Sequence, residues 1–148
     1  MSKIQDLAAL LRHVRSAGIY HLPASGRGVL AKAAYSAGMA YVECELGETA
    51  ELDVALQKIG HALGFPDWYG NNLDALHDCL TDLSWRDTPE TVLLISGCDQ
   101  LRASLPEAFD TLLSVFAAAI DYWRDDKHLF WVFIDMRADG IALLPTIA

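Results

Sequence analysis

Two short stretches constrain the fold of this chain more than any other. Thr91–Ser96 (TVLLIS) and Leu129–Asp135 (LFWVFID) are almost unbroken apolar runs, rich in β-branched and aromatic residues. A strand with one wet face alternates apolar and polar residues. A solid run belongs to a strand covered on both faces, which is the habit of parallel sheets. Between the two, Ser104 to Asp125 reads as a long helix with Pro106 near its first turn, where proline is tolerated. Parallel neighbours need a crossover of that kind, because a tight hairpin cannot return the chain to the same end of the sheet.

The alternation of strand and helix continues through the rest of the chain. Residues 2–16 carry Ile4, Leu7, Ala8, Leu11 and Val14 at helical spacing, and Gly18 stops that helix. Ile19–Leu22 is a short strand ended by Pro23. Ser25-Gly26-Arg27-Gly28 predicts a loop, with Arg27 on its surface, and residues 29–37 an alanine-rich helix closed by Gly38. Residues 39–46 (MAYVECEL) alternate Tyr41, Glu43 and Glu45 with Val42, Cys44 and Leu46, the period of a half-buried strand. Thr49 is a candidate N-cap for a helix that aligns Leu52, Ala55, Leu56, Ile59 and Leu63 and closes at Gly64. A loop rich in turn formers and aromatics spans 65–71. The next helix runs from about 72 to 83, with Leu73, Leu76, Leu80 and Leu83 as its buried stripe. The pattern predicts an α/β fold: a small, mainly parallel sheet of three to four strands with helices packed on it. At 148 residues the chain is expected to be a single domain. Residues 1–38 then form an added layer on a core spanning 39–136.

A hydrophobic content of 53% with 21% charged residues excludes a disordered chain. No apolar run approaches the ~20 residues that span a bilayer. Asp6 precedes a short apolar stretch and Arg12 and Arg15 follow it, the reverse of a signal peptide, so a cytoplasmic location is expected. Cys44, Cys79 and Cys98 are odd in number and widely spaced. They suggest neither a disulfide framework nor a metal motif, but small buried hydrophobes. The formal charge is −9. Nucleic-acid binders show a basic face, so direct contact with RNA, DNA or an anionic membrane is not expected; the partner such a field attracts is a cation or a basic protein.

The distribution of that charge is uneven. Residues 43–90 hold eleven acids against two bases, Lys58 and Arg86, which is the whole net charge; elsewhere nine acids balance nine bases. Within this stretch Asp74, Asp78 and Asp82 recur every four residues. On a helix they share one face and repel each other by a few tenths of a kcal/mol per pair. Asp82 also sits at the end where the helix dipole disfavours it. A stripe that opposes its own helix suits either a solvated face or a docking site for a cationic partner. Trp68 and Tyr69 just before it add large aromatics to a polar loop, the composition of a binding hot spot. A loop folded over the core would use the same residues, Tyr69 above all. His77 lies beside Asp74 and Asp78, a constellation that general acid–base chemistry or a metal could use but too common to be specific. His13, His21, His61 and His128 fall on separate elements. There is no phosphate loop, dinucleotide fingerprint or nucleophile elbow, and no cofactor is expected.

The stretch Phe65-Pro66-Asp67-Trp68-Tyr69-Gly70-Asn71-Asn72-Leu73-Asp74-Ala75-Leu76-His77-Asp78-Cys79-Leu80-Thr81 resembles the signature of the barstar family, small intracellular inhibitors of barnase-type ribonucleases. The resemblance covers roughly 39–136. It implies a protein without catalysis, cofactor or metal, in which an acidic helix and the loop before it plug a basic nuclease site. On that reading Asp74 and Asp78 stand in for RNA phosphates, Trp68 is a contact, Tyr69 and His77 adjoin it, and Asn72 shapes the loop. Two positions depart from the family. His77 replaces a contact tryptophan, and Ala118 stands where the family carries a second acidic contact on the long helix. An immunity or regulatory binding protein whose partner is not a ribonuclease, or a small enzyme using His77 with Asp74 and Asp78, are the alternatives.

Overall fold

The computed structural model describes residues 3–22, 26–65, 70–82 and 90–135. Its elements are helix α1 (Lys3–Leu11), a 3-10 turn (Val14–Ser16), strand β1 (Ile19–Leu22), α2 (Arg27–Ser36), β2 (Ala40–Glu45), α3 (Leu52–Leu63), α4 (Leu73–Thr81), β3 (Thr91–Ser96), α5 (Asp99–Ser104), α6 (Pro106–Asp125) and β4 (Phe130–Asp135). The four strands form one sheet in the order β1-β4-β3-β2, and every pair is parallel. This is the expected α/β architecture, with the sheet wholly rather than mainly parallel.

Strand order and handedness together place the helices. From β1 the chain travels past two strand positions to β2, then steps back through β3 to β4. Parallel crossovers are right-handed almost without exception, so opposite directions of travel put their connections on opposite faces. On one face lie the side chains of Tyr20, Trp131, Phe133 and Asp135 together with α1 and α2. Tyr20 stacks on Trp131 and Phe133 with ring centroids 5.5 and 6.1 Å apart. The Trp131 indole N–H donates to the Leu11 carbonyl at the end of α1, at 3.0 Å. On the other face α3 lies over Cys44, and α4 and α6 pack together. With both faces covered, all six residues of β3 are buried, as are Phe130 to Ile134 of β4. That is why these two strands carry no alternation.

The boundaries differ from the sequence expectation in instructive places. The first helix ends at Leu11 rather than continuing to residue 16, where a 3-10 turn follows. The long helix starts at Pro106, and a separate short helix, α5, precedes it. Leu105 divides them: the residue before a proline is pushed out of the helical region, and Leu105 sits at φ −136°, ψ 67°. Six residues with Leu101 alone buried give too little periodicity to find α5 from sequence. Arg27, expected on a surface loop, is the first residue of α2, and its guanidinium reaches the Asp135 carboxylate at 3.2 Å. Pro23 and Leu83, expected to end β1 and to close the stripe of the acidic helix, lie outside the described residues.

The loops leaving β2 and β3 meet closely. Gly97 has φ +73°, and a Cβ there would lie 2.3 Å from Glu45 Oε1 and 2.7 Å from the Gly47 nitrogen. We expect Gly97→Ala to cost about 1–3 kcal/mol in a denaturant titration, the range for strained backbone, without loss of the fold.

Burial also governs the thiols. All three cysteines are free and buried. Burial raises the Cys44 thiol to about 11, with the Lys58 ammonium working against it and Glu45 with it. Burial likewise raises Cys98. A thiol whose pKa is higher in the folded state favours folding while protonated and stops doing so once it ionises. Stability should therefore hold up to the ordinary thiol value near 9 and decline as pH rises toward 11. Urea titrations from pH 7 to 11 should show a shallower decline in Cys44→Ala than in the parent.

Candidate functional site

The acidic helix α4 is defined at its start by its own cap. Asn72 has extended backbone (φ −130°, ψ 168°), and its side-chain oxygen accepts from the Ala75 N–H at 2.8 Å. Its amide donates back to the Gly70 carbonyl at 3.4 Å. Asn71, just before it, takes the left-handed conformation (φ 53°), which asparagine tolerates better than most residues. Asp74 falls in the first turn, where the helix dipole favours a carboxylate. At the other end Asp82 leaves the helix (φ −112°, ψ 78°), and the Thr81 hydroxyl donates to the His77 carbonyl at 2.9 Å.

Burial divides α4 into two sides. Leu76, Cys79 and Leu80 are buried, and Leu73 partly so. Asp74, His77 and Asp78 are exposed on the opposite side. What holds the buried side in place is α6. The Trp123 indole N–H donates to the Leu80 carbonyl at 2.8 Å, satisfying one of the carbonyls left open in the last turn of α4. Trp123 is in turn held edge-on by Tyr122 and His128, at centroid distances of 5.2 and 5.3 Å. Periodicity marked Trp123 only as part of an amphipathic stretch; nothing local in the sequence pairs it with residue 80.

The structure thus brings together four of the six expected site residues. Asn72 is the cap, and Asp74, His77 and Asp78 form the exposed face. Trp68 and Tyr69 lie outside the described residues. Asp82, aligned with the stripe by spacing, is exposed but stands beyond the helix end. The Asp78 side chain is 76% exposed, and His77 Nδ1 lies 3.9 Å from its Oδ1, beyond hydrogen-bonding reach. Beneath them burial raises the Cys79 thiol, helped by the Asp78 and Asp82 carboxylates. Ala118 is exposed on α6, so this helix offers no carboxylate at that position. A groove of about 640 Å³ opens between the starts of α3 and α4, lined by Leu52, Asp53, Leu56, Asn71, Asn72, Leu73 and Asp74. It brings Asp53, which the sequence left on a separate helix, to the border of the acidic face.

Two comparisons with known proteins bear on this arrangement. The family model described as "Barstar (barnase inhibitor)" matches residues 39–135, the segment from β2 to β4 that contains α4. A Bacillus subtilis (strain 168) protein named "Putative ribonuclease inhibitor YrdF" is 36% identical over 75 residues, which is 51% of this chain and 79% of that protein. The family match takes in well over half of the chain and ends where β4 ends: the chain belongs to the barstar family.

Proposed function

We propose that this protein is an inhibitor of a barnase-type ribonuclease, acting inside the cell and docking through the exposed face of α4 and the loop before it. The observation that carries this reading is the orientation of α4. The tryptophan of α6 and the asparagine cap hold a helix whose outward side is Asp74, His77 and Asp78. A nuclease site that binds RNA phosphates is cationic, and exposed carboxylates on a fixed helix are the complementary surface. The family description and the name of the Bacillus relative support the same class of partner. Asp74 and Asp78 supply the charge in this reading. Asn72 holds the loop, and Trp68, Tyr69 and His77 complete the contact. The protein binds without cofactor or metal and performs no chemistry itself. Its three buried free thiols suit a reducing compartment.

One observation favours a second reading. His77 and the exposed Ala118 replace an aromatic and an acid that the family uses for contact, so the face could fit a basic protein other than a ribonuclease. An enzyme built on His77 is less well supported, since His77 and Asp78 are 3.9 Å apart and both are open to solvent.

Calorimetric titration against a catalytically inactive barnase-type ribonuclease, at low and high salt, tests the proposal. One-to-one binding that weakens with salt is expected. Asp78→Ala should cost about 2–5 kcal/mol, the range for a charge pair desolvated at an interface, the barnase–barstar pair included. Changes at Asp53 or Asp126 should cost less. Equal losses at all three would remove the local docking face. Absence of binding by a folded protein would leave the family intact and assign the face to another partner.

The cap separates structure from contact. Asn72→Ala should lower stability by about 1 kcal/mol in a thermal or urea melt, and Asn72→Ser should restore most of it. If Asn72 also touches the partner, the serine variant will fold like the parent yet still bind more weakly.

A further inference from the structure

We infer that the edge of β2, open among the described residues, and the groove between it and α3 form a second docking surface, which takes an extended protein segment with basic and small apolar residues in alternation. β2 is an outer strand of the sheet, and its even-numbered residues turn their main chain toward β3. The Ala40 N–H donates to the Glu90 carbonyl at 3.1 Å and the Leu46 N–H to the Ser96 carbonyl at 2.9 Å. The main-chain groups of Tyr41, Glu43 and Glu45 therefore face away from β3, along the edge. An edge of this kind is a template for one more strand.

The two sides of that edge differ in chemistry, and the difference specifies the occupant. Tyr41, Glu43 and Glu45 project to the face that carries Arg27 and Asp135. There the Tyr41 hydroxyl donates to Glu43 at 2.7 Å and the Ser96 hydroxyl to Glu45 at 2.9 Å. Arg27 is shared among Glu43, Glu45 and Asp135 at 3.8, 3.9 and 3.2 Å. One guanidinium serves three carboxylates, so an excess of negative charge remains, and the Glu45 side chain is 62% exposed. The opposite side opens into a groove of about 600 Å³ whose α3 wall includes Val54, Lys58, His61 and Ala62. The Lys58 ammonium is engaged there by the Leu46 carbonyl and the Thr49 hydroxyl, at 3.1 and 2.8 Å.

An added strand places residues directly opposite Glu43 and Glu45 on their face and the residues between them over the groove. The first set meets carboxylates and the second meets Val54 and Ala62. A second copy of this chain fits poorly, because antiparallel self-pairing would bring Glu43 and Glu45 of the two copies together. The inference does not depend on the α4 face, which lies on a different element.

The probe is a blocked peptide of alternating lysine and valine, (Lys-Val)4, offered to the full chain with amide resonances followed by NMR. Saturable binding is expected, with slowed hydrogen exchange at the Tyr41, Glu43 and Glu45 amides. Affinity should fall at least tenfold when alternate peptide nitrogens are methylated in the pairing register, and similarly when lysine is replaced by glutamate. Glu43→Lys combined with Glu45→Lys should have the same effect, whereas Asp78→Ala should bind the peptide like the parent. If the double variant does not fold, the methylated peptide on the parent protein decides. Equal binding of methylated and unmethylated peptides, in both registers, would overturn the inference. So would exchange unchanged along β2, or binding lost in Asp78→Ala, which would place the peptide on α4. A mass that doubles without peptide and reverts in the double variant would give the edge to a second copy and equally overturn it.

Discussion

The handedness of parallel crossovers is the constraint from which the rest of this structure follows. The chain moves outward from β1 to β2 and then returns through β3 and β4. Right-handed connections then lie on one face during the outward step and on the other during the return. Had β2, β3 and β4 been alone, their connections would have covered one face and left the Trp131 and Phe133 side open. β1 along the edge of β4, with α1 and α2 over the aromatics, closes it. Burial of the two central strands on both faces depends on that layer.

The acidic helix shows how such a frame supports a surface unfavourable in isolation. Carboxylates four residues apart on α4 repel, and aspartate is a modest helix former. The energy that keeps α4 in place comes from elsewhere: the buried Leu76, Cys79 and Leu80, the Asn72 cap at one end and the Trp123 hydrogen bond at the other. Because those anchors lie on the inner side and at the ends, the outward face is free to carry a charge pattern chosen for something other than stability.

What could be read from the sequence follows the range of the interactions involved. The solid runs of β3 and β4, the alternation in β2 and the stripes of α3 and α4 are local periodicities, and each led to its element. The acidic face was legible because its spacing lies within a single helix. The loop-to-helix motif was dense enough to point to the family. Other features depend on partners distant along the chain and left no local trace. Arg27 looked like a loop residue because Asp135, which fixes it, lies at the far end of the sequence. Nothing in the sequence tied Trp123 to α4, because its hydrogen bond is to a main-chain carbonyl, for which any residue at position 80 would serve. The outer place of β2 in the sheet was invisible because alternation says which side of a strand is wet, not whether a neighbour lies beside it. The helix α5 was missed because six residues with one buried position carry too little periodicity, and the break at Leu105 fell inside what read as one long helix.

The pairing of β1 with β4 also has a consequence for how the protein is made. Ile19 aligns with Val132, and Leu22 with Asp135. On a ribosome the first strand emerges early and can find no neighbour, since the strand it joins is the last of the described strands to be synthesised. Until then α1 and α2 have no Trp131 or Phe133 to cover, and the apolar run of β3 is made before β4 can lie beside it. Long-range closures of this kind slow folding and leave sticky intermediates exposed. For this chain the vulnerable interval in its life is the time between the birth of β1 and the birth of β4.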